Sequence, residues 1–226
     1  MSTDPLQKPN SQEYEPFWQT PLTHSLLKDP SYTIHHPTAD PKTTNPPSQE
    51  KQDAGGNPFF RRTCNSEFAV RHTLFLSRTH TRIRTRTQPP IAQSFNGAEA
   101  EAEADPGVHA EGRLLLHLGP GVTGQSGIAH GGFLATVLDE VCGNLVAVAR
   151  LDGGLGMFTA SLGLTYKRPV FVGHEGTVVV ASARVVRVEG RKVFIEGVIR
   201  DVDGVECTAA EAIFVRKRAV EAQAVL

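Results

Sequence analysis

The chain has 226 residues, 39% of them hydrophobic, and a formal net charge of −1. That length suits one domain with a real core plus a tail, and the balanced charge excludes a global pull toward nucleic acid or a membrane surface. Its three cysteines, Cys64, Cys142 and Cys207, are too few for a disulfide framework and lack metal-ligand spacing, so a reducing compartment is expected, with no metal and no cofactor.

Residues 1–57 are rich in Pro, Thr, Ser, Gln and Asn, and ten of the fifteen prolines fall in the first sixty residues. With no apolar periodicity to offset its ordering entropy, this stretch is expected to be a disordered tail. Its aromatic patch, Tyr14, Phe17 and Trp18, is a candidate for docking on the domain. No basic run followed by an apolar one marks a secretory signal, and no apolar run reaches the length of a membrane span. Asp4, Glu13 and Glu15 argue against a mitochondrial presequence, which leaves the cytoplasm as the default address and the mitochondrion as the alternative.

Residues 58–110 are expected to form a helical and linker extension. Asn65 or Ser66 can cap a short helix carrying Phe68, Val70, Leu74 and Phe75. The basic stretch Arg78–Thr87 lacks interleaved aromatics, so it suits a solvated loop or a poor edge strand better than a phosphate contact. Glu99–Ala104 is a low-complexity acidic linker.

Residues 111–218 have the texture of a folded domain. Gly112–Leu118 is strand-like, and a Gly-rich loop over 121–127 then leads into a long helix from Gly131 to Ala149. Leu134, Val137, Leu138, Val141, Leu145 and Val148 form one apolar stripe on that helix. Ala135, Asp139, Cys142 and Val146 form a second line, with one carboxylate among small or apolar residues. A helix apolar on two faces lies between two partners, so Asp139 is expected in a seam, where a carboxylate is kept for pairing or for chemistry. Glu140 falls on another face and is read as structural or exposed. The helix start, with His130 outside it and Gly131 and Gly132 in its first turn, has amides without intrahelical acceptors and a partial positive charge, as an oxyanion hole needs. The plain alternative is a His–Gly cap with a paired surface Asp.

Four strands are then expected, at Thr159–Arg168, Gly176–Val188, Arg191–Asp201 and Glu206–Arg216, with hairpin signals at Glu189–Gly190 and Asp203–Gly204. The fold class is therefore α+β, a long helix wrapped by a curled antiparallel sheet, and a second copy of the chain is expected to cover the spare helix face.

These residues resemble a known family. His130-Gly-Gly followed by Asp139 is similar to the HGG…D signature of hotdog-fold acyl-CoA thioesterases, the PaaI-like members of the 4HBT thioesterase superfamily. Thr159–Pro169, ending Tyr-Lys-Arg-Pro, resembles the strand that follows the helix in that family, and Val188–Lys192 its hairpin. The resemblance spans about residues 111–217.

It implies hydrolysis of acyl-CoA thioesters by a homodimer or a dimer of dimers, with each site formed between two subunits. Asp139 would act as general base or nucleophile, Gly131 would donate its amide to the thioester oxygen, His130 would orient the loop or substrate, and Thr159 would position water. Substrate contacts would include Gly132 and the basic residues Lys167, Arg168, Arg191 and Lys192, which could meet the phosphates of coenzyme A. The chain departs from the family at Gly124, where many relatives carry Asn or Gln, and Gln125 beside it is the candidate substitute. Two alternatives remain open at this point: a hotdog enoyl-CoA hydratase or dehydratase pairing His130 with Asp139, and a non-catalytic acyl-CoA-binding module.

Overall fold

The computed structural model describes residues 14–35, 59–81, 108–125 and 127–218. Its centre is helix α3 (Gly131–Val148), preceded in the chain by two short helices, α1 (Glu15–Gln19) and α2 (Pro21–Lys28). The strands are β1 (Thr33–His35), β2 (Val70–Thr81), β3 (Val108–Leu118), β4 (Thr123–Gln125), β5 (Ile128–Ala129), β6 (Met157–Tyr166), β7 (Thr177–Glu189), β8 (Lys192–Arg200) and β9 (Glu206–Arg216). Seven of them form one antiparallel sheet in the order β1-β2-β3-β7-β8-β9-β6, while β4 and β5 pair separately just before α3. This is the hotdog arrangement, a long helix held against a large antiparallel sheet.

The sequence pattern explains the inner face. Val193, Ile195 and Ile199 of β8 alternate inward and are buried, while Phe194, Glu196 and Val198 face out. Leu134, Val137, Leu138, Val141 and Leu145 of α3 are buried with them in one core. Each contributes about 2 kcal/mol through apolar burial. Gly197 admits the helix at close range, because a Cβ there would sit 2.9 Å from Leu138 Cδ2. Val148, assigned to the stripe on periodicity, is 39% exposed, so the stripe ends a turn earlier. Glu140 is buried rather than exposed, and its carboxylate accepts from Asn144 Nδ2 at 3.3 Å, one turn on. By length and composition α3 could cross a membrane, but its apolar side is committed to the sheet.

The hairpins β7–β8 and β8–β9 form as their turn residues indicate. Asp201 Oδ1 accepts from the amides of Asp203 and Val205, which closes the second turn. β6 does not pair with β7, its successor in the chain. It lies beyond β9 at the sheet edge. The segment between them crosses beneath the start of α3, burying Val170 and Val172, and delivers β7 beside β3.

Two expectations for the N-terminal half are corrected. Val70–Thr81 is a strand, not a capped helix, with Leu74 and Leu76 on the outer face and Phe75 in the inner core. Both faces of β2 are covered at Leu74-Phe75-Leu76, so those three residues are apolar in succession and period two is invisible there. Arg78, expected in a solvated basic stretch, belongs to this strand and pairs with Glu111 at 2.9 Å. The rest of that stretch beyond Thr81, and the acidic linker, lie outside the described residues.

Residues 14–35 fall inside the stretch expected to be disordered, yet they are folded. Tyr14, Phe17 and Leu27 pack on Leu74, Leu76, Leu115, Val178 and Val180 of the sheet's outer face. β1 then pairs with Phe75–Ser77 of β2, and Tyr32 lies under the guanidinium of Arg78, 4.9 Å from its ring. The segment has no periodicity of its own; a few apolar anchors order it by docking on a sheet built elsewhere in the chain. Phe17 is fully buried, so Phe17→Ala should remove up to about 3 kcal/mol of docking energy. The expected result is much faster tryptic cleavage after Lys28, with far-ultraviolet circular dichroism little changed.

Candidate active site

His130 is the N-cap of α3, and its Nδ1 accepts from the Gly132 amide at 3.0 Å. A backbone N–H can only donate, so Nδ1 is bare in this arrangement and the ring proton sits on Nε2. The ring stands in a slot between two glycines. A Cβ on Gly124 would lie 2.6 Å from His130 Cδ2, and one on Gly132 would lie 3.0 Å from Cε1 and Nδ1. Gly124 therefore cannot be replaced in place by the amide residue many relatives carry. Its role is to accommodate the histidine. Gln125, exposed and opposite Ile128 in the β4–β5 pair, is the adjacent amide. Gly132, expected among the substrate contacts, has its amide committed to His130. The Gly131 amide has no acceptor in the chain among the described residues.

Asp139 is half-buried on the same helix, and Thr159 Oγ1 donates to its Oδ1 at 2.7 Å. A bulge makes this contact. Thr159 opposes Phe214 and Ser161 opposes Ile213, so Ala160 is an extra residue in β6. Without it, strict alternation would place Thr159 on the opposite face from Leu162, Leu164 and Tyr166. At the other end of β6, Tyr166 Oη donates to the Gly131 carbonyl at 2.8 Å.

Asp139 follows Gly131 by eight residues, about 12 Å along a helix axis. The carboxylate and the free amide of one chain thus cannot reach one reacting carbonyl. The basic residues are also separated. Lys167 pairs with Glu206, and Arg168 follows it at the Tyr166 end of β6. Arg191 donates to the Arg216 carbonyl at 2.8 Å, and Lys192 opposes Val215, which places both at the Met157 end. Roughly 30 Å of strand lies between the two pairs, so within one chain they do not form a single phosphate patch.

Among the described residues, no three His, Cys, Asp or Glu side chains gather as metal ligands. Cys142 lies one turn from Asp139 but is no nucleophile: burial first, and the neighbouring Asp139 charge second, push its thiol up to about 12. Two surface concavities of this chain, about 360 and 540 Å³, lie on the outer sheet face and beneath α1, and neither includes His130, Asp139 or Thr159. Sequence reasoning missed the contributions of Tyr166 and Ala160. The Tyr-Lys-Arg-Pro motif pointed at the first, and nothing local points at the second.

Residues 126–208 match the model of the thioesterase superfamily. The chain is similar to acyl-coenzyme A thioesterase THEM4 of Xenopus laevis, at 37% identity over 47% of this chain and 46% of that one. It is also similar to mouse THEM4, at 34% identity over 45% and 39%, and to mouse THEM5, at 32% identity over 39% and 33%. The chain thus spans less than half the length of these curated relatives. Among solved structures, a Bacillus halodurans protein crystallised with CoA is 27% identical over 46% of this chain and 65% of that one, with a TM-score of 0.41. The E. coli PaaI protein of the phenylacetic acid degradation operon is 14% identical over 48% and 73%, also with a TM-score of 0.41.

Two outcomes check this geometry. Gly124→Ala should displace the His130 ring and break its bond to Gly132, seen as an upfield shift of the Gly132 amide proton without unfolding. Cys142 should resist an aromatic disulfide reagent at neutral pH until the chain is denatured. Its folded thiol keeps a proton that the unfolded chain loses above about pH 9, so stability should fall as pH rises from 9 toward 12.

Proposed function

We propose that this protein hydrolyses acyl-CoA thioesters to free acid and coenzyme A, at sites each built from two copies of the chain. The observation that carries the reading is the Thr159–Asp139 hydrogen bond on a half-exposed helix face, about 12 Å from an unused helix-terminal amide. The names of the THEM4 and THEM5 relatives support the same chemistry.

Thioester hydrolysis needs an activated water and a stabilised oxyanion. Thr159 ties down one oxygen of Asp139, which leaves the other to take a proton from water. The resulting hydroxide forms a C–O bond to the acyl carbon, and the oxyanion accepts the Gly131 amide of the second copy. Collapse breaks the C–S bond, and the thiolate leaves with the proton held by Asp139. Gln125, at the end of β4 ahead of His130, offers an exposed amide to contact the water or thioester. Two features support assembly with a second copy. β6 is an unpaired edge strand with Phe158 57% and Tyr166 54% exposed, and the α3 line carrying Ala135 and Asp139 is only partly covered within one chain.

A thiol-release assay over short, medium, long and aromatic acyl-CoAs tests the activity. Asp139→Asn should lower kcat at least a hundredfold, the usual scale for a general base. Thr159→Ala should lower it about tenfold, as expected for loss of one hydrogen bond to a charged group. Acyl-CoA binding with no turnover by the wild type would leave a binding module. Mixing tests the shared site. Gly131→Pro deletes the amide at a position where helices tolerate proline. Co-assembled Asp139→Asn and Gly131→Pro chains should recover about a quarter of wild-type activity, because half of random dimers are mixed and each keeps one intact site. A site confined to one chain would recover nothing.

A further inference from the structure

We propose that Tyr166 is a positioning residue for the oxyanion-binding turn, and that β6 thereby sets both halves of the chemistry. The inference rests on the thioesterase reading above. Tyr166 is the last residue of β6, and its backbone is anchored where the Lys167 and Arg168 amides both donate to the Cys207 carbonyl, at 2.8 and 3.0 Å. Its ring packs on Gly131, close enough that a Cβ there would lie 3.2 Å from Cζ and Oη. Its hydroxyl donates to the Gly131 carbonyl at 2.8 Å.

That carbonyl belongs to the same peptide group as the Gly132 N–H, which donates to His130 Nδ1. The three groups form a directed chain: phenol O–H to carbonyl, then the N–H of that peptide to imidazole. A hydrogen bond accepted by a peptide oxygen strengthens donation by its own N–H, so each link reinforces the next. The chain holds the first turn of α3 still, with the Gly131 amide unused, and fixes the His130 proton on Nε2. A thioester oxygen arriving at this turn meets the unused Gly131 N–H, already held in place. Oxyanion stabilisation depends on donors set in place before charge develops, and Tyr166 provides the setting. At the other end of the strand, Thr159 holds Asp139. β6 thus supports the carboxylate of one site and the donor turn of the other.

The test compares wild type, Tyr166→Phe, Tyr166→Ala and Asp139→Asn in the full chain. The assay uses the acyl-CoA the wild type turns over best, and nitrogen-15 spectra of the His130 ring and the Gly132 amide are recorded alongside. Tyr166→Phe keeps the ring and loses only the hydroxyl. It should lower kcat about fivefold, the scale of one neutral hydrogen bond, with KM within twofold and the melting temperature unchanged. The Gly132 amide proton should move upfield, and the clear pyridine-type Nδ1 and pyrrole-type Nε2 signals of His130 should average. Tyr166→Ala should lose more of kcat. Wild-type kcat in Tyr166→Phe with unmoved Gly132 and His130 signals overturns the proposal, as does a rise in KM alone, which would make Tyr166 a substrate contact. If Asp139→Asn retains full turnover, the role of Asp139 as base fails; if the wild type turns over no acyl-CoA, the thioesterase reading fails, and the spectra alone then decide whether Tyr166 orders the turn.

Discussion

Burial of one side of α3 against the concave face of the sheet sets the position of everything else. Leu138 approaches Gly197 so closely that no side chain fits between helix and strand, and Leu134, Val137, Val141 and Leu145 extend that contact along the axis. Close packing of this kind leaves a helix little freedom to slide or rotate. With α3 locked, Asp139 must face the edge strand β6 and the helix start must lie beneath Tyr166. The site geometry follows from core packing, not from the polar groups themselves.

The helix that organises the core also divides the chemistry. A rise of 1.5 Å per residue separates the Gly131 amide from Asp139 by more than one thioester can span. In the function we propose, a chain with both groups on one helix uses them in different sites. In the proposed assembly, antiparallel helices from two copies bring each carboxylate to the other's first turn, and the exposed edge of β6 is the side on which such pairing occurs. The opposite edge strand is β1, three residues long, and α1 and α2 pack on part of the outer face.

Much of the domain was legible in the residues. The helix start at Gly131 and the hairpins at Glu189–Gly190 and Asp203–Gly204 have local signals: a glycine pair after a histidine, and turn residues between alternating runs. Residues 14–35 and the strand Val70–Thr81 gave no such signal. Their order comes from each other and from β3 and β7, and residues covered on two sides lose the alternation by which a strand is recognised. The four basic residues were grouped by charge alone, and strand order placed them at opposite ends of β6.

What the sequence by itself determined is the chemistry on offer: a carboxylate on the second apolar line of a helix, a histidine and two glycines at its start, and a hydroxyl on the following strand. Tertiary structure decided which of these meet. An extra residue, Ala160, turns Thr159 toward Asp139, and the crossover after Tyr166 carries the chain beneath α3 so that a phenol reaches the Gly131 carbonyl. Gly124 is bare because the His130 ring occupies the space its side chain would need. Each of these depends on contacts between residues far apart in the chain, and local propensity carries no record of them.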